Sequence, residues 1–196
     1  MIKAVIFDLG GVVVDFTNYR HYEHLSRMSG IPTERVKRII EKRQLDLFER
    51  GLETIDTFER EVAGMLRIPR SRVGWYDVYK RSASLNPDVE ELVETLHKEY
   101  VTAFISNIDK TRYVYTRRIL SLDAFDYRFT SCFVGFRKPS PSIFRFALRR
   151  MKVKAEETVF IDNMLENVVG ARKVGMNAIH FINRRLLDRE LAKLSL

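Results

Sequence analysis

Four short segments hold the side chains able to do chemistry: Asp8-Leu9-Gly10-Gly11, Ser106-Asn107, Arg137-Lys138-Pro139 and Asp162-Asn163. Asp8 follows the apolar run Ala4-Val5-Ile6-Phe7, which places a carboxylate at the exposed end of a buried strand. The two glycines after it let the backbone turn sharply and approach whatever the carboxylate meets. Together the segments supply a carboxylate nucleophile, a hydroxyl donor, one fixed cation and a second acidic position. Transfer of a phosphoryl group needs that combination: an in-line nucleophile, donors for the equatorial oxygens and cations to offset charge. Each segment also has a plainer reading. An Asp after a strand opens a turn or caps a helix, a Ser does the same, and Lys-Pro suits a solvated loop.

Strand-like runs at 2–7, 101–105, 158–161 and 178–181 place these segments at strand ends, and helical periodicity fills 87–99, 111–120, 141–151 and 165–174. Alternation of this kind predicts right-handed βαβ units in a doubly wound parallel sheet, in which ligands sit outside the carboxyl ends of the strands. Asn86-Pro87-Asp88 marks a helix start, and Gly175 after Ala171-Arg172-Lys173-Val174 marks a helix stop. The stretch 16–85 differs. It is helical in period throughout, broken at Gly30-Ile31-Pro32, Gly51, Ile68-Pro69 and Gly74, and shows no convincing strand. It predicts a small all-helical cap, 16–85, inserted into an α/β core made of 1–15 and 86–196. Phe48, Phe58, Val62, Leu66, Trp75 and Tyr79 are assigned to the bundle's own core. An insertion directly after the Asp8 turn hangs over the strand ends, where a lid belongs.

The 196 residues suffice for one sizeable core with a small accessory domain, and 45% hydrophobic content is that of a globular chain. No run reaches the ~18 apolar residues that span a bilayer. Met1-Ile2-Lys3-Ala4-Val5 leads straight into a strand without a secretory leader, so the reading is a cytoplasmic protein. A single cysteine, Cys132, excludes an intramolecular disulfide and a cysteine zinc cage, and is placed in the core. The net charge of +8 favours anionic ligands. The charges are interleaved, however, as in Glu34-Arg35 and Asp188-Arg189-Glu190, which suits solvated helix faces, and no nucleic-acid motif accompanies them.

The segments Val5-Ile6-Phe7-Asp8-Leu9-Gly10-Gly11-Val12-Val13-Val14-Asp15, Phe104-Ile105-Ser106-Asn107, Arg137-Lys138-Pro139-Ser140-Pro141 and Val159-Phe160-Ile161-Asp162-Asn163, with Glu166-Asn167, resemble the haloacid dehalogenase superfamily. Leu47-Phe48-Glu49-Arg50-Gly51 resembles the cap of the same family. The resemblance runs along essentially the whole chain and is strongest to small helical-cap sugar phosphatases and to the phosphatase domains related to epoxide hydrolases. It implies a Mg²⁺-dependent phosphatase of a small phosphorylated metabolite. Asp8 would be the nucleophile that forms an aspartyl-phosphate. Ser106, the Asn107 backbone, Gly10 and Gly11 would lie around the phosphate, and Lys138 would neutralise both phosphate and nucleophile. Asp8, the Gly10 carbonyl and the Asp162-Asn163 pair would hold the metal, a donor set that suits a hard cation.

Two positions depart from the family pattern. Most phosphatases of the family carry a second Asp two places after the nucleophile, as general acid and base; here Gly10 stands there. Such help is typically worth ~10²–10⁴-fold, so slow turnover or a preference for good leaving groups is expected. Asp15 is a substitute by type, although its place suits the hinge into the cap. Where the family shows two adjacent acids, Asn163 replaces the second, which removes about 4 kcal/mol of attraction at ~4 Å and an effective dielectric near 20. Both departures keep a second function open: a weakened or inactive member that binds a phosphorylated ligand or a protein partner. A third, the 2-haloacid dehalogenase, would use Asp8 on carbon without metal, but that group carries an aromatic residue in place of Gly10. His21 and His24, three apart on the first cap helix, are expected to be solvated; His97 and His180 carry no assigned role. Tyr19, Arg20, Tyr22 and Trp75 are candidate substrate contacts from the cap.

Overall fold

A computed structural model describes residues 1–16, 19–41 and 44–196, the side chain of Gln44 excepted. Residues 17, 18, 42 and 43 of the expected cap lie outside that description. The strands are β1 (Ala4–Phe7), β2 (Val14–Asp15), β3 (Ser84–Leu85), β4 (Val101–Ser106), β5 (Tyr127–Thr130), β6 (Thr158–Asp162) and β7 (Asn177–His180). The helices before β3 are α1 (Tyr19–Ser29), α2 (Thr33–Glu41), α3 (Gln44–Glu49), α4 (Ile55–Leu66) and α5 (Trp75–Ser82). Those after it are α6 (Pro87–His97), α7 (Lys110–Ile119), α8 (Ser131–Val134), α9 (Pro141–Met151), α10 (Leu165–Arg172) and α11 (Arg184–Ala192).

The main sheet has the order β5-β4-β1-β6-β7, and every pairing is parallel. β1 sits at its centre and is buried along its whole length, as expected of a β-branched run covered on both sides. Alternate residues serve the two faces. Val5, Phe7, Phe104, Val159 and Ile161 pack with Val89, Leu92, Val93 and Leu96 of α6 and Leu187 and Leu191 of α11. Ala4, Ile6, Ala103, Ile105 and Phe160 pack with Ile143, Phe144 and Ala147 of α9 and Val168 and Ala171 of α10. The expected doubly wound α/β sheet is therefore what forms. Because all strands run the same way, Phe7, Ser106 and Asp162 end along one edge, and the turn after each opens there.

The segment between β2 and β3 builds a third apolar cluster, which includes Tyr22, Leu25, Val36, Ile40, Phe48, Phe58, Val62, Leu66 and Trp75. Gly30, Gly51 and Gly74 all adopt positive φ, and the helices stop or start at them. Two expectations change. Ser84 and Leu85 pair antiparallel with Asp15 and Val14, so the helical stretch does end in a short strand that ties its exit to its entry. Tyr79 is buried outside the helical cluster: its hydroxyl bonds to Thr116 Oγ1 of α7 at 2.7 Å, and its ring packs on Phe16.

Candidate active site

Asp8 continues the sheet by donating its amide to the Ile161 carbonyl at 2.8 Å, and its side chain then turns inward, 6% exposed. Oδ1 accepts the Leu9 amide at 2.7 Å and lies 2.7 Å from Lys138 Nζ. The same ammonium donates to Asp162 Oδ2 at 2.6 Å and stands 5.5 Å from the centre of the Phe160 ring. Lys138 is 1% exposed, a long flexible side chain locked between two carboxylates. Its backbone is fixed as well. The Lys138 amide donates to Asn107 Oδ1 at 2.8 Å, and Asn107 Nδ2 donates back to the Lys138 carbonyl at 2.9 Å. The Asn107 side chain is thus spent on aligning Lys138, while Ser106 is buried beside it at the end of β4.

Asp162, expected beside the metal, has both carboxylate oxygens hydrogen-bonded. Oδ1 accepts from the Met164 amide (2.8 Å) and Asn167 Nδ2 (3.1 Å); Oδ2 accepts from Lys138 and from Asn167 Nδ2 (3.0 Å). With both oxygens engaged and no exposure, it holds the lysine. Gly11 also changes role. Its amide donates to the Val14 carbonyl at 2.8 Å and so is committed to the turn. What Gly11 does is make room: at φ +80°, a Cβ there would lie 2.2 Å from Asn163 Nδ2. The Asn163 amide is pressed against the Asp8 turn, with Oδ1 buried and unpartnered. A Cβ at Gly10, by contrast, would meet nothing within 4 Å.

Counting formal charges, the buried trio of Asp8, Asp162 and Lys138 carries one negative charge too many. Burial, and then the charge of Asp162, push the Asp8 carboxyl up to about 7 against the pull of Lys138. Burial alone would lower the Lys138 ammonium, but Asp162 and Asp8 carry it above its ordinary value, so it stays charged. The excess therefore calls for a proton or a cation at Asp8. The residues fit a divalent cation there: the uncompensated Asp8 carboxylate, the Gly10 main-chain carbonyl and the unpartnered Asn163 Oδ1. No group of three His, Cys, Asp or Glu side chains able to hold a metal occurs among the described residues. Such a site would complete its shell with water and substrate oxygens, as magnesium sites commonly do.

The flanking residues divide differently from their expected roles. His21, expected to be solvated, is buried at 1%, with its ring 4.2 Å from Trp75 and Nε2 donating to the Trp75 carbonyl at 2.5 Å. Burial holds it neutral by pushing its pKa down to about 3. Tyr22 and Trp75, candidate substrate contacts, belong to the helical cluster, and Tyr22 donates to Glu41 Oε1 at 3.2 Å. Tyr19 and Arg20 are exposed, and Asp15 is exposed in β2. His180 bonds to the Asn163 carbonyl at 3.0 Å, His97 to Thr102 Oγ1 at 2.9 Å, and Cys132 is buried as expected.

One buried cluster escapes sequence reading. Glu49 of α3 is 2% exposed, and its Oε1 lies 2.9 Å from Arg112 Nη2 while Oε2 lies 3.0 Å from Arg137 Nη2. Arg112 also pairs with Asp109, the N-cap of α7, and its guanidinium lies over Phe16, Trp75 and Tyr79. Interleaved charge hides these residues. Glu49 stands in the Leu47-Phe48-Glu49-Arg50-Gly51 segment and Arg137 beside Lys138, but nothing local pairs the two, and the Asp109–Arg112 spacing is the one short-range signal of the cluster.

The packing of Gly11 on Asn163 gives a direct test. Gly11→Ala is expected to cost roughly 1–3 kcal/mol, from left-handed backbone strain and from the displaced amide. Adding Asn163→Ala should recover the steric part, a non-additivity readable in urea melts.

Fold and site together define a doubly wound α/β enzyme with two buried carboxylates closing on one lysine at the strand ends. The model of the haloacid dehalogenase-like hydrolases matches residues 2–175, and the chain belongs to that family. It is 29% identical to the sesquiterpene phosphatase astK of Aspergillus oryzae, over 98% of this chain and 96% of that one. It is 28% identical to the glyceraldehyde 3-phosphate phosphatase of Methanothermobacter thermautotrophicus, over 97% and 89%. Its fold matches that of a haloacid dehalogenase family enzyme from Bacteroides thetaiotaomicron, crystallised with magnesium and inorganic phosphate, at TM-score 0.73 and 22% identity, over 91% and 93%. No helix among the described residues is long and apolar enough to cross a membrane.

Proposed function

We propose that the chain is a Mg²⁺-dependent phosphatase that hydrolyses a small phosphorylated metabolite through an aspartyl-phosphate on Asp8. The observation that carries this reading is the buried excess charge at Asp8, one carboxylate more than Lys138 can neutralise. The phosphatases among the full-length relatives support it, as does the magnesium and phosphate held by an enzyme of the same fold. Bound magnesium would supply positive charge for the phosphate oxygens and for Asp8, held by Asp8, the Gly10 carbonyl and Asn163.

This chain's own residues do the rest. An Asp8 oxygen attacks phosphorus in line, and the bond to the ester oxygen breaks. Lys138 stays protonated between Asp8 and Asp162, and so offsets charge on the equatorial oxygens. Ser106 and the Asn107 main chain border the phosphate, while the Asn107 side chain keeps Lys138 in register. The leaving oxygen takes its proton from water, because Gly10 has none to give. Water then attacks the phosphorus of the aspartyl-phosphate, releasing inorganic phosphate and restoring Asp8. Residues 16–85 act as a cap over the core of 1–15 and 86–196. A sugar phosphate is one substrate class; the names of the relatives add a triose phosphate and an isoprenoid phosphate.

The test is release of p-nitrophenol from p-nitrophenyl phosphate with and without Mg²⁺, with Asp8→Asn as blank, followed by a panel of sugar, triose and prenyl phosphates. Activity equal to the blank would favour the second reading, a phosphate-binding protein without turnover, to which Gly10 and Asn163 point. Within the first reading, Asn163→Asp is expected to lower the Mg²⁺ concentration for half-maximal activity by tenfold or more, since it adds a full charge against Gly11 without adding bulk. A metal titration of initial rates checks this. Lost turnover in a folded Asn163→Asp would contradict the metal assignment.

A further inference from the structure

Among the contacts between the helical part of the chain and the reactive edge is one buried carboxylate that serves two arginines. Glu49 ends α3, and the residues after it dock on the core. Arg50 Nε donates to the Gly135 carbonyl at 3.0 Å, and a Cβ on Gly51 would lie 2.3 Å from the Cys132 carbonyl oxygen. The Glu49 main-chain carbonyl accepts from Ser131 Oγ at 2.5 Å, and the same hydroxyl accepts the Ile108 amide at 3.0 Å. Ile108 follows the Ser106-Asn107 pair at the end of β4. The Glu49 carboxylate reaches the same loop from the other side, through Arg112 and its partner Asp109. Its second oxygen holds Arg137, the neighbour of Lys138. Glu49 therefore contacts the supports of both phosphate-facing elements, yet it bonds to neither Asp8 nor Lys138.

We propose that Glu49 is a positioning residue for the reaction, which makes seating of the cap and alignment of Ser106, Asn107 and Lys138 a single event. This rests on the phosphatase reading above. A carboxylate this deeply buried would be costly without both cations; burial raises its pKa, and Arg112 and Arg137 pull it back. The arrangement is stable only with α3 seated, so an unseated cap leaves Arg137 and the loop at 107–109 without their common anchor. Coupling of this kind excludes water only when the phosphate-facing groups are already in place.

The test is Glu49→Gln, which keeps shape and removes charge, while Arg112 retains Asp109 and the half-buried Arg137 retains its longer pair with Asp46. With p-nitrophenyl phosphate and Mg²⁺, kcat is expected to fall at least tenfold while KM changes less than threefold. Amide exchange at Ile108 and Lys138 is expected to quicken tenfold or more, while amides of β6 keep their wild-type rates. An unchanged kcat in folded protein, or exchange that quickens evenly along the chain, would overturn the proposal. Should Glu49→Gln not fold, Arg137→Met decides, because it leaves Glu49 paired with Arg112: a three- to tenfold fall in kcat supports the coupling, and wild-type kcat refutes it. If the wild type itself matches Asp8→Asn in turnover, the phosphatase reading fails, and the exchange rates still decide whether Glu49 orders the two segments.

Discussion

Asp8→Asn is expected to do two opposite things, abolishing turnover and making the folded chain more stable at pH 8. Removal of the nucleophile should lower kcat by roughly four orders of magnitude. The gain in stability follows from the excess charge. Well below pH 3.8 the carboxyl is protonated in folded and unfolded chains alike, so wild type and variant differ little. Between there and about pH 7 the unfolded chain releases the proton that the folded chain retains, because burial and Asp162 hold the Asp8 pKa up. Wild-type stability falls across that window by about 4 kcal/mol, and above pH 7 the deficit is complete. Asparagine carries no such charge and leaves Lys138 paired with Asp162. Urea melts of both proteins at pH 4.5 and pH 8 measure the difference. Added Mg²⁺ should raise the melting temperature of the wild type at pH 8 and leave that of Asp8→Asn nearly unchanged. A variant less stable than wild type at pH 8 would mean that Asp8 is not the uncompensated group.

The second large effect is a gain. Gly10→Asp is expected to raise kcat about 10²-fold on alkyl phosphates, the low end of what a general acid supplies. The position allows it: φ at Gly10 is not in the left-handed region, and a Cβ there meets nothing within 4 Å. The gain should be largest for poor leaving groups, since p-nitrophenolate needs little protonation. The ratio of rates on an alkyl phosphate and on p-nitrophenyl phosphate is the measurement. A folded Gly10→Asp variant with an unchanged ratio would place the leaving group away from this turn.

The central strands were legible because β1, β4 and β6 are buried almost throughout and carry mostly apolar residues. β5 was not. Tyr127-Arg128-Phe129-Thr130 is four residues on a sheet edge with Arg128 exposed, too short and too mixed for a periodic signal. At the candidate site, the nearness of Asp8, Lys138 and Asn163 could be read because each stands in a local motif. That Asp162 rather than Asn163 meets Lys138 could not, since it depends on which side chain the turn after β6 directs toward the lysine. Nor could the pairing of Glu49 with Arg112 and Arg137, although Glu49 and Arg137 each stand in a motif. The partners of Glu49 lie 63 and 88 residues away, and a charge that finds its counterion in three dimensions looks in one dimension like any solvated residue.

The two-residue ribbon of β2 and β3 has a consequence for how such chains diversify. Val14 faces Leu85 and Asp15 faces Ser84, so the polypeptide leaves the sheet and returns to it through adjacent, hydrogen-bonded residues. Whatever is spliced between Asp15 and Ser84 starts and finishes at one doorway about 5 Å wide. Loops, hairpins or bundles of quite different length can be grafted there without stretching the scaffold beneath. Selectivity can thus be exchanged as a cassette, provided the replacement keeps a carboxylate where Glu49 meets Arg112 and Arg137.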